Sequence, residues 1–190
     1  MGAINSREEN TQILLLGFEK SGKSLLLKKL IDYKNAEADS GQLNPTSAFE
    51  YVRIKLDNKN YDFWELGGSE VSRPYWSTFY RSLKFGAVFY CINIFEQENH
   101  LETLKTLLIL ANEEELKIAK FFIIFNVAIN SNMSIFQDLN YDEIWKMAND
   151  IKIKLMDILR ESPIYDYDFR IKEIMIDISK IKDKEQIDEK

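Results

Sequence analysis

Gly17-Phe18-Glu19-Lys20-Ser21-Gly22-Lys23-Ser24 reads G-x-x-x-x-G-K-S, and its setting constrains the fold more than any other segment. Before it runs Ile13-Leu14-Leu15-Leu16; after it Leu26, Leu27, Leu30 and Ile31 recur at helical spacing. A short unbroken apolar run predicts a strand buried on both faces. A glycine-rich turn between such a strand and a helix aims successive main-chain N–H groups at one spot, beside the positive end of the helix. That arrangement binds phosphate. Lys23 would neutralise the terminal phosphates, and the Ser24 hydroxyl would ligate magnesium.

The alternation continues along the chain. Glu50, Val52, Ile54 and Leu56 alternate with Tyr51, Arg53 and Lys55, residues 57–60 form a turn cluster, and residues 61–64 return as a hairpin strand. Residues 85–92 and 121–125 predict two further buried strands, with Leu101, Leu104, Leu108 and Ala111 marking a helix between them. Beyond an Asn/Ser-rich loop at residues 130–134, Ile144, Ala148, Ile151, Leu155 and Ile158 predict the clearest helix, ended by Pro163. Ile174, Ile176 and Ile178 suggest a last strand. The expected fold class is α/β: a mostly parallel sheet with one antiparallel edge hairpin and helices on both faces. A single domain over residues 1–190 is expected, residues 1–11 forming a short tail.

Composition narrows the function classes. With 25 Lys+Arg against 31 Asp+Glu the net charge is −6, which argues against wrapping nucleic acid. One cysteine, Cys91, excludes a disulfide framework and fits a small buried hydrophobe in a reducing compartment. His100 is the only histidine, so no Ser/His/Asp or histidine-metal constellation competes; its place near a helix start suggests a solvated side chain. No apolar run approaches the roughly 18 residues of a membrane-spanning helix. The opening matches M-G-x-x-x-[ST], with Gly2 as acyl acceptor and Ser6 in place. One acyl chain gives only marginal membrane binding, and Arg7 is followed by Glu8 and Glu9 instead of a polybasic second signal. The expected location is cytoplasmic, with weak peripheral membrane contact.

Residues 64–76 read Trp-Glu-Leu-Gly-Gly-Ser-Glu-Val-Ser-Arg-Pro-Tyr-Trp. This strongly resembles the second switch of the ADP-ribosylation-factor (Arf and Arf-like) small GTPases, Trp-Asp-x-Gly-Gly-Gln followed by Arg-Pro-x-Trp. Pro45-Thr46 with Phe49 is similar to that family's first switch, and the 19 positions from Pro45 to Trp64 equal the family spacing. The likeness covers about residues 12 to 130. It implies a P-loop small-GTPase fold, GTP/GDP and Mg2+ as ligands, and effectors and regulators as partners. By the same resemblance, residues 17–24 would hold the α- and β-phosphates. Thr46 would complete the magnesium shell, and the Gly68 N–H would bond the γ-phosphate. Phe49, Trp64 and Phe79 fall where the family has an aromatic effector triad, though core packing is the alternative reading for them.

Departures from the pattern carry as much information. Ser69 stands in place of the water-positioning glutamine, and its shorter reach predicts very slow intrinsic hydrolysis. Glu65 replaces an aspartate, a mild change. Where the family has Asn-Lys-x-Asp for the guanine base, this chain has Asn126-Val127-Ala128-Ile129. Unpaired guanine donors would cost about 1–3 kcal/mol, roughly ten- to a hundredfold in affinity. Ser179-Lys180 loosely match the last base-contacting loop. Residues 181–190 are too few and too polar for the family's closing helix, and residues 2–11 lack its amphipathic N-terminal helix.

Three functions compete. The first is an Arf-like GTP-binding switch that recruits effectors when loaded with GTP, in membrane or vesicle traffic or ciliary transport. The second is a pseudo-GTPase kept as a scaffold or assembly subunit, suggested by Ser69, Val127 and Ile129 together. The third, a small-molecule kinase, needs an Arg-rich lid, whereas Arg7, Arg53, Arg73, Arg81, Arg160 and Arg170 are scattered.

Overall fold

The apolar run at residues 13–16 lies within β1 (Thr11–Gly17), at the heart of a seven-stranded sheet ordered β2-β3-β4-β1-β5-β6-β7. A computed structural model describes residues 10–33, 37–40, 49–127, 140–164 and 166–181. Gly2, Pro45, Thr46, Ile129, the loop at residues 130–134 and residues 182–190 lie outside the described residues.

β1 pairs in parallel with β4 (Lys59–Leu66) on one side and β5 (Ala87–Asn93) on the other. Leu14, Leu15 and Leu16 are fully buried, so both faces of this strand meet core. β6 (Lys120–Asn126) and β7 (Ile171–Ile176) extend the parallel part. β3 (Phe49–Leu56) and β4 form the expected hairpin, turning through Asp57 and Asn58 at φ 49 and 62, a left-handed geometry that short polar side chains tolerate. β2 (Glu37–Ser40) adds a further antiparallel edge strand that the sequence pattern did not announce. An edge strand is held by ladder hydrogen bonds to one neighbour and needs no apolar alternation.

Helices cover both faces, as expected. On one face α1 (Lys23–Ile31) sets Leu26 and Leu27 in a cluster with Ile13, Leu15, Val52, Ile54 and Phe63. On the other, α2 (Trp76–Ser82), α3 (His100–Asn112) and α4 (Tyr141–Arg160) enclose Leu14, Leu16, Tyr90, Phe121 and Phe125. The short α5 (Tyr167–Arg170) leads into β7. α4 starts at a capping box, the Glu143 amide donating to Asn140 Oδ1 at 3.0 Å and the Asn140 amide to Glu143 Oε2 at 2.9 Å.

Three apolar assignments shift. In α4 the inward residues are Ile144, Ala148, Leu155, Met156 and Leu159, while Ile158 is 47% exposed. Over a helix this long, a strict four-and-three spacing drifts away from the 3.6-residue turn. In α3, Leu104, Leu107, Leu110 and Ala111 are buried and Leu101 is 63% exposed. β7 ends at Ile176, so Ile178 is not a strand residue; it is buried in a 3-10 turn, Ile178–Lys180, on the α1 face.

Candidate nucleotide phosphate site

β1 delivers the loop at residues 17–24 to the start of α1. Gly22 has φ 95, and a Cβ there would stand 2.4 Å from Asn126 Nδ2, so only glycine fits. The loop is tied from outside through its carbonyls: Asn93 Nδ2 donates to Lys20 O and Asn126 Nδ2 to Ser21 O, both at 3.3 Å. Lys20 itself holds φ 62. The Leu26 amide donates to the Gly22 carbonyl at 2.9 Å, the first bond of the helix. That leaves the amides of Lys23 and Ser24 facing out of its positive end.

Lys23 is buried, and its ammonium donates to the Phe18 carbonyl at 3.0 Å. Burial lowers its pKa, opposed by the nearby Glu65 carboxylate. The Ser24 hydroxyl donates to Glu65 Oε1 at 2.5 Å, and Glu65 Oε2 is buried with no partner. Burial holds the Glu65 pKa above the usual carboxylate range, with the Ser24 bond and Lys23 pulling the other way. A hydroxyl beside an orphaned carboxylate oxygen is a hard-oxygen donor set that suits Mg2+. Ser24 would ligate the ion and Glu65 would hold one of its waters, so the longer Glu65 side chain still reaches.

The segment after β4 closes on the same loop. The Glu19 amide donates to the Gly68 carbonyl at 3.1 Å, and a Cβ on Gly68 would lie 2.3 Å from the Gly17 oxygen and 2.7 Å from Lys23 Nζ. Only a residue without a side chain approaches so closely. The Trp76 indole N–H donates to the Gly67 carbonyl at 2.8 Å and fixes the glycine pair from behind. Ser69 Oγ lies 2.8 Å from Ser72 Oγ, so its hydroxyl is engaged in a local turn. Arg73 packs its guanidinium 3.9 Å from the Phe18 ring centre and pairs with Glu102 at 2.7 Å.

At the base end, Asn126 works as a strut. Besides its bond to Ser21 O, its Oδ1 accepts from the Ile178 amide at 3.5 Å. Val127 is 1% exposed and packs into the core. Lys180 lies 3.3 Å from the Tyr141 ring centre and 3.9 Å from Asp177, and the Ser179 amide donates to Asp177 at 3.1 Å. Of the three residues expected at the base, Asn126, Ser179 and Lys180, the last two are thus engaged around Asp177. The aromatic triad is assembled: Phe49 and Trp64 are 5.8 Å apart centre to centre, Phe49 and Phe79 4.8 Å, all partly buried at the rim of the core.

His100 is not solvated as expected. It is half-buried, its Nε2 has no partner, and burial holds its pKa below the ordinary value. The orphaned Ser21 Oγ lines the same small cavity beside Asn93 and Thr103.

A family model described as the ADP-ribosylation factor family matches residues 1–166 of this geometry's chain. The chain belongs to the ADP-ribosylation factor family. Family members are GTP-binding switches that use Mg2+ and bind effectors and regulators. The Arf-like protein alp41 of Schizosaccharomyces pombe is 25% identical over 148 residues, 78% of this chain and 73% of that protein. Arf-like protein 3 of Chlamydomonas reinhardtii is 31% identical over 77 residues, 40% and 41% of the two chains. The Arl6 BBS3 small GTPase of Trypanosoma brucei, solved with the nucleotide analogue GppNp, superposes with a TM-score of 0.58 at 14% identity, covering 93% of this chain and 92% of that one. At that identity the likeness shows the fold alone.

Within this Arf-family chain the structure gathers residues 17–24, Glu65, Gly68 and Ser69 at one end of the sheet. Sequence reasoning missed the pairing of Arg73 with Phe18 and Glu102, for which no spacing signal existed. It also missed a buried network around Asp62, which accepts from Gln12 Nε2 at 2.7 Å, Tyr51 OH at 3.0 Å and Arg53 Nε at 2.7 Å. An acid inside an apolar strand was the available clue.

Proposed function

We propose that this Arf-family chain is a GTP-dependent switch that holds a nucleoside triphosphate with Mg2+ at residues 17–24 and recruits a protein partner through Phe49, Trp64 and Phe79. In this reading it acts in the cytoplasm, in membrane or vesicle traffic or ciliary transport. Acylation of Gly2 would give weak membrane contact, Thr46 would join Ser24 on the metal, and intrinsic hydrolysis is very slow because Ser69 cannot orient water. The observation that carries it is the preserved cradle: outward-tied carbonyls, a glycine that admits no Cβ at Gly22, and the Ser24–Glu65 pair beside buried Lys23. The GppNp seen in the Trypanosoma brucei relative is consistent with a triphosphate in such a cradle.

A second reading, a pseudo-GTPase scaffold, draws on Val127 turned into the core and on the Gly68 carbonyl seated on the Glu19 amide. Nucleotide released by denaturing the purified protein, followed by titration with GTP, GDP and ATP in Mg2+, separates the two. About one guanine nucleotide per chain, lost in Lys23→Ala, supports the switch. An empty, folded protein that takes up none of the three supports the scaffold.

A further inference from the structure

Gly68 O sits on the Glu19 amide at 3.1 Å, and Arg73 Nη1 donates to the same oxygen at 3.4 Å. A carbonyl oxygen held by a phosphate-loop amide and a guanidinium stands where an anionic oxygen would be held by the same two donors. Phosphate oxygens accept more strongly from both than a peptide carbonyl does.

We propose that Arg73 is a terminal-phosphate-reading residue: a triphosphate displaces the Gly68 carbonyl and takes over the Glu19 amide and the Arg73 guanidinium, whereas a diphosphate leaves both on Gly68. This inference rests on the nucleotide-binding reading above and names the residue that tells triphosphate from diphosphate.

Three features of the site support it. Arg73 is pre-positioned, its side chain 19% exposed, stacked on Phe18 of the phosphate loop and anchored to Glu102. Little rotamer freedom therefore remains to be lost on binding. The cleft of about 280 Å3 beside Gly68 is also lined by Glu19, Glu70 and Glu102, and among the described residues Arg73 is the one basic group in its lining. The Lys23 ammonium faces the Gly68 position from the loop side, and Arg73 adds a second cation where the cleft lining otherwise carries three carboxylates. Finally, the Ser69 hydroxyl is engaged with Ser72 at 2.8 Å, so Arg73 is the side chain from this segment that reaches the Gly68 oxygen.

Calorimetric titration of the full chain with GppNHp and with GDP, both in Mg2+, tests this. Arg73→Ala is expected to weaken GppNHp by about ten- to a hundredfold and to leave GDP within about twofold. Arg73→Lys restores part of the loss. Glu102→Gln, at a residue whose side chain is 59% exposed, releases the anchor that pre-positions Arg73 and weakens GppNHp several-fold while leaving GDP within about twofold, so a misfolded Arg73 variant does not shelter the idea. Equal weakening of both nucleotides by Arg73→Ala would mark a structural role and overturn the proposal, as would unchanged GppNHp affinity in both variants. A wild-type protein that binds neither nucleotide refutes the nucleotide reading itself, a result distinct from binding that ignores Arg73.

Discussion

The Ser24 hydroxyl donates to Glu65 Oε1 at 2.5 Å across 41 residues of sequence, joining the start of α1 to the end of β4. The other carboxylate oxygen is buried and unpartnered, so the site is short of one positive or donor group. Glu65→Gln keeps the shape and removes the charge. It should weaken Mg2+-dependent nucleotide affinity by about ten- to a hundredfold and leave affinity in EDTA unchanged. Fluorescent-nucleotide titrations at stepped Mg2+ measure this, and an unaltered Mg2+ dependence would remove Glu65 from the metal's surroundings.

Asp62 is 3% exposed and binds together β1, β3 and β4. Burial raises its pKa, but bonds from Arg53, Gln12 and Tyr51 outweigh this and hold it below the ordinary value. Asp62→Ala strands the Gln12 amide and Tyr51 hydroxyl; Arg53, 43% exposed on its side chain, can turn to water. A loss of about 2 kcal/mol follows, or about 4–8 °C in Tm for a chain of this size. Because Gln12 Oε1 also accepts from the Trp64 indole at 2.7 Å, the aromatic face should loosen as well. Thermal melts together with Trp fluorescence read both effects; an unmoved Tm would show the network to be idle.

Burial depresses the His100 pKa, with the Asn93 and Ile94 carbonyls and the Glu96 charge opposing. Below about pH 6.5, the ordinary histidine value, the unfolded chain therefore takes up a proton before the folded one does. This group's contribution to stability is intact above that pH and declines as the solution is acidified. His100→Gln should accordingly lose less Tm than wild type between pH 7.5 and 5.5. Parallel curves for the two proteins would refute the assignment.

Ser69→Gln should raise single-turnover hydrolysis about tenfold or more if only water positioning is missing. The longer amide must leave the Ser72 hydroxyl behind to do so. A rate held at background would mean that the surrounding groups are also unsuited to hydrolysis.

The phosphate loop, the central strands and the two-sided cover were legible because each writes a local signature: glycine spacing, unbroken apolar runs, helical periodicity. Ile178 misled because three isoleucines at alternate positions look like a strand, although the last one turns under α1. β2 was invisible because Glu-Ala-Asp-Ser at residues 37–40 carries no apolar alternation, the signal by which a strand is read from sequence. His100 and Arg73 escaped for a different reason. Their environments come from neighbours distant in sequence, Asn93 with Ser21 for one and Phe18 with Glu102 for the other. Spacing reports what a residue can be, and packing decides what it touches.

Asn126 spans from the Ser21 carbonyl to the Ile178 amide. Next to the buried Val127 it works as a keystone, joining the phosphate loop to the turn that follows β7. The bracing of the phosphate loop by Asn126 is thus a task separate from reading a base, carried by the same side chain.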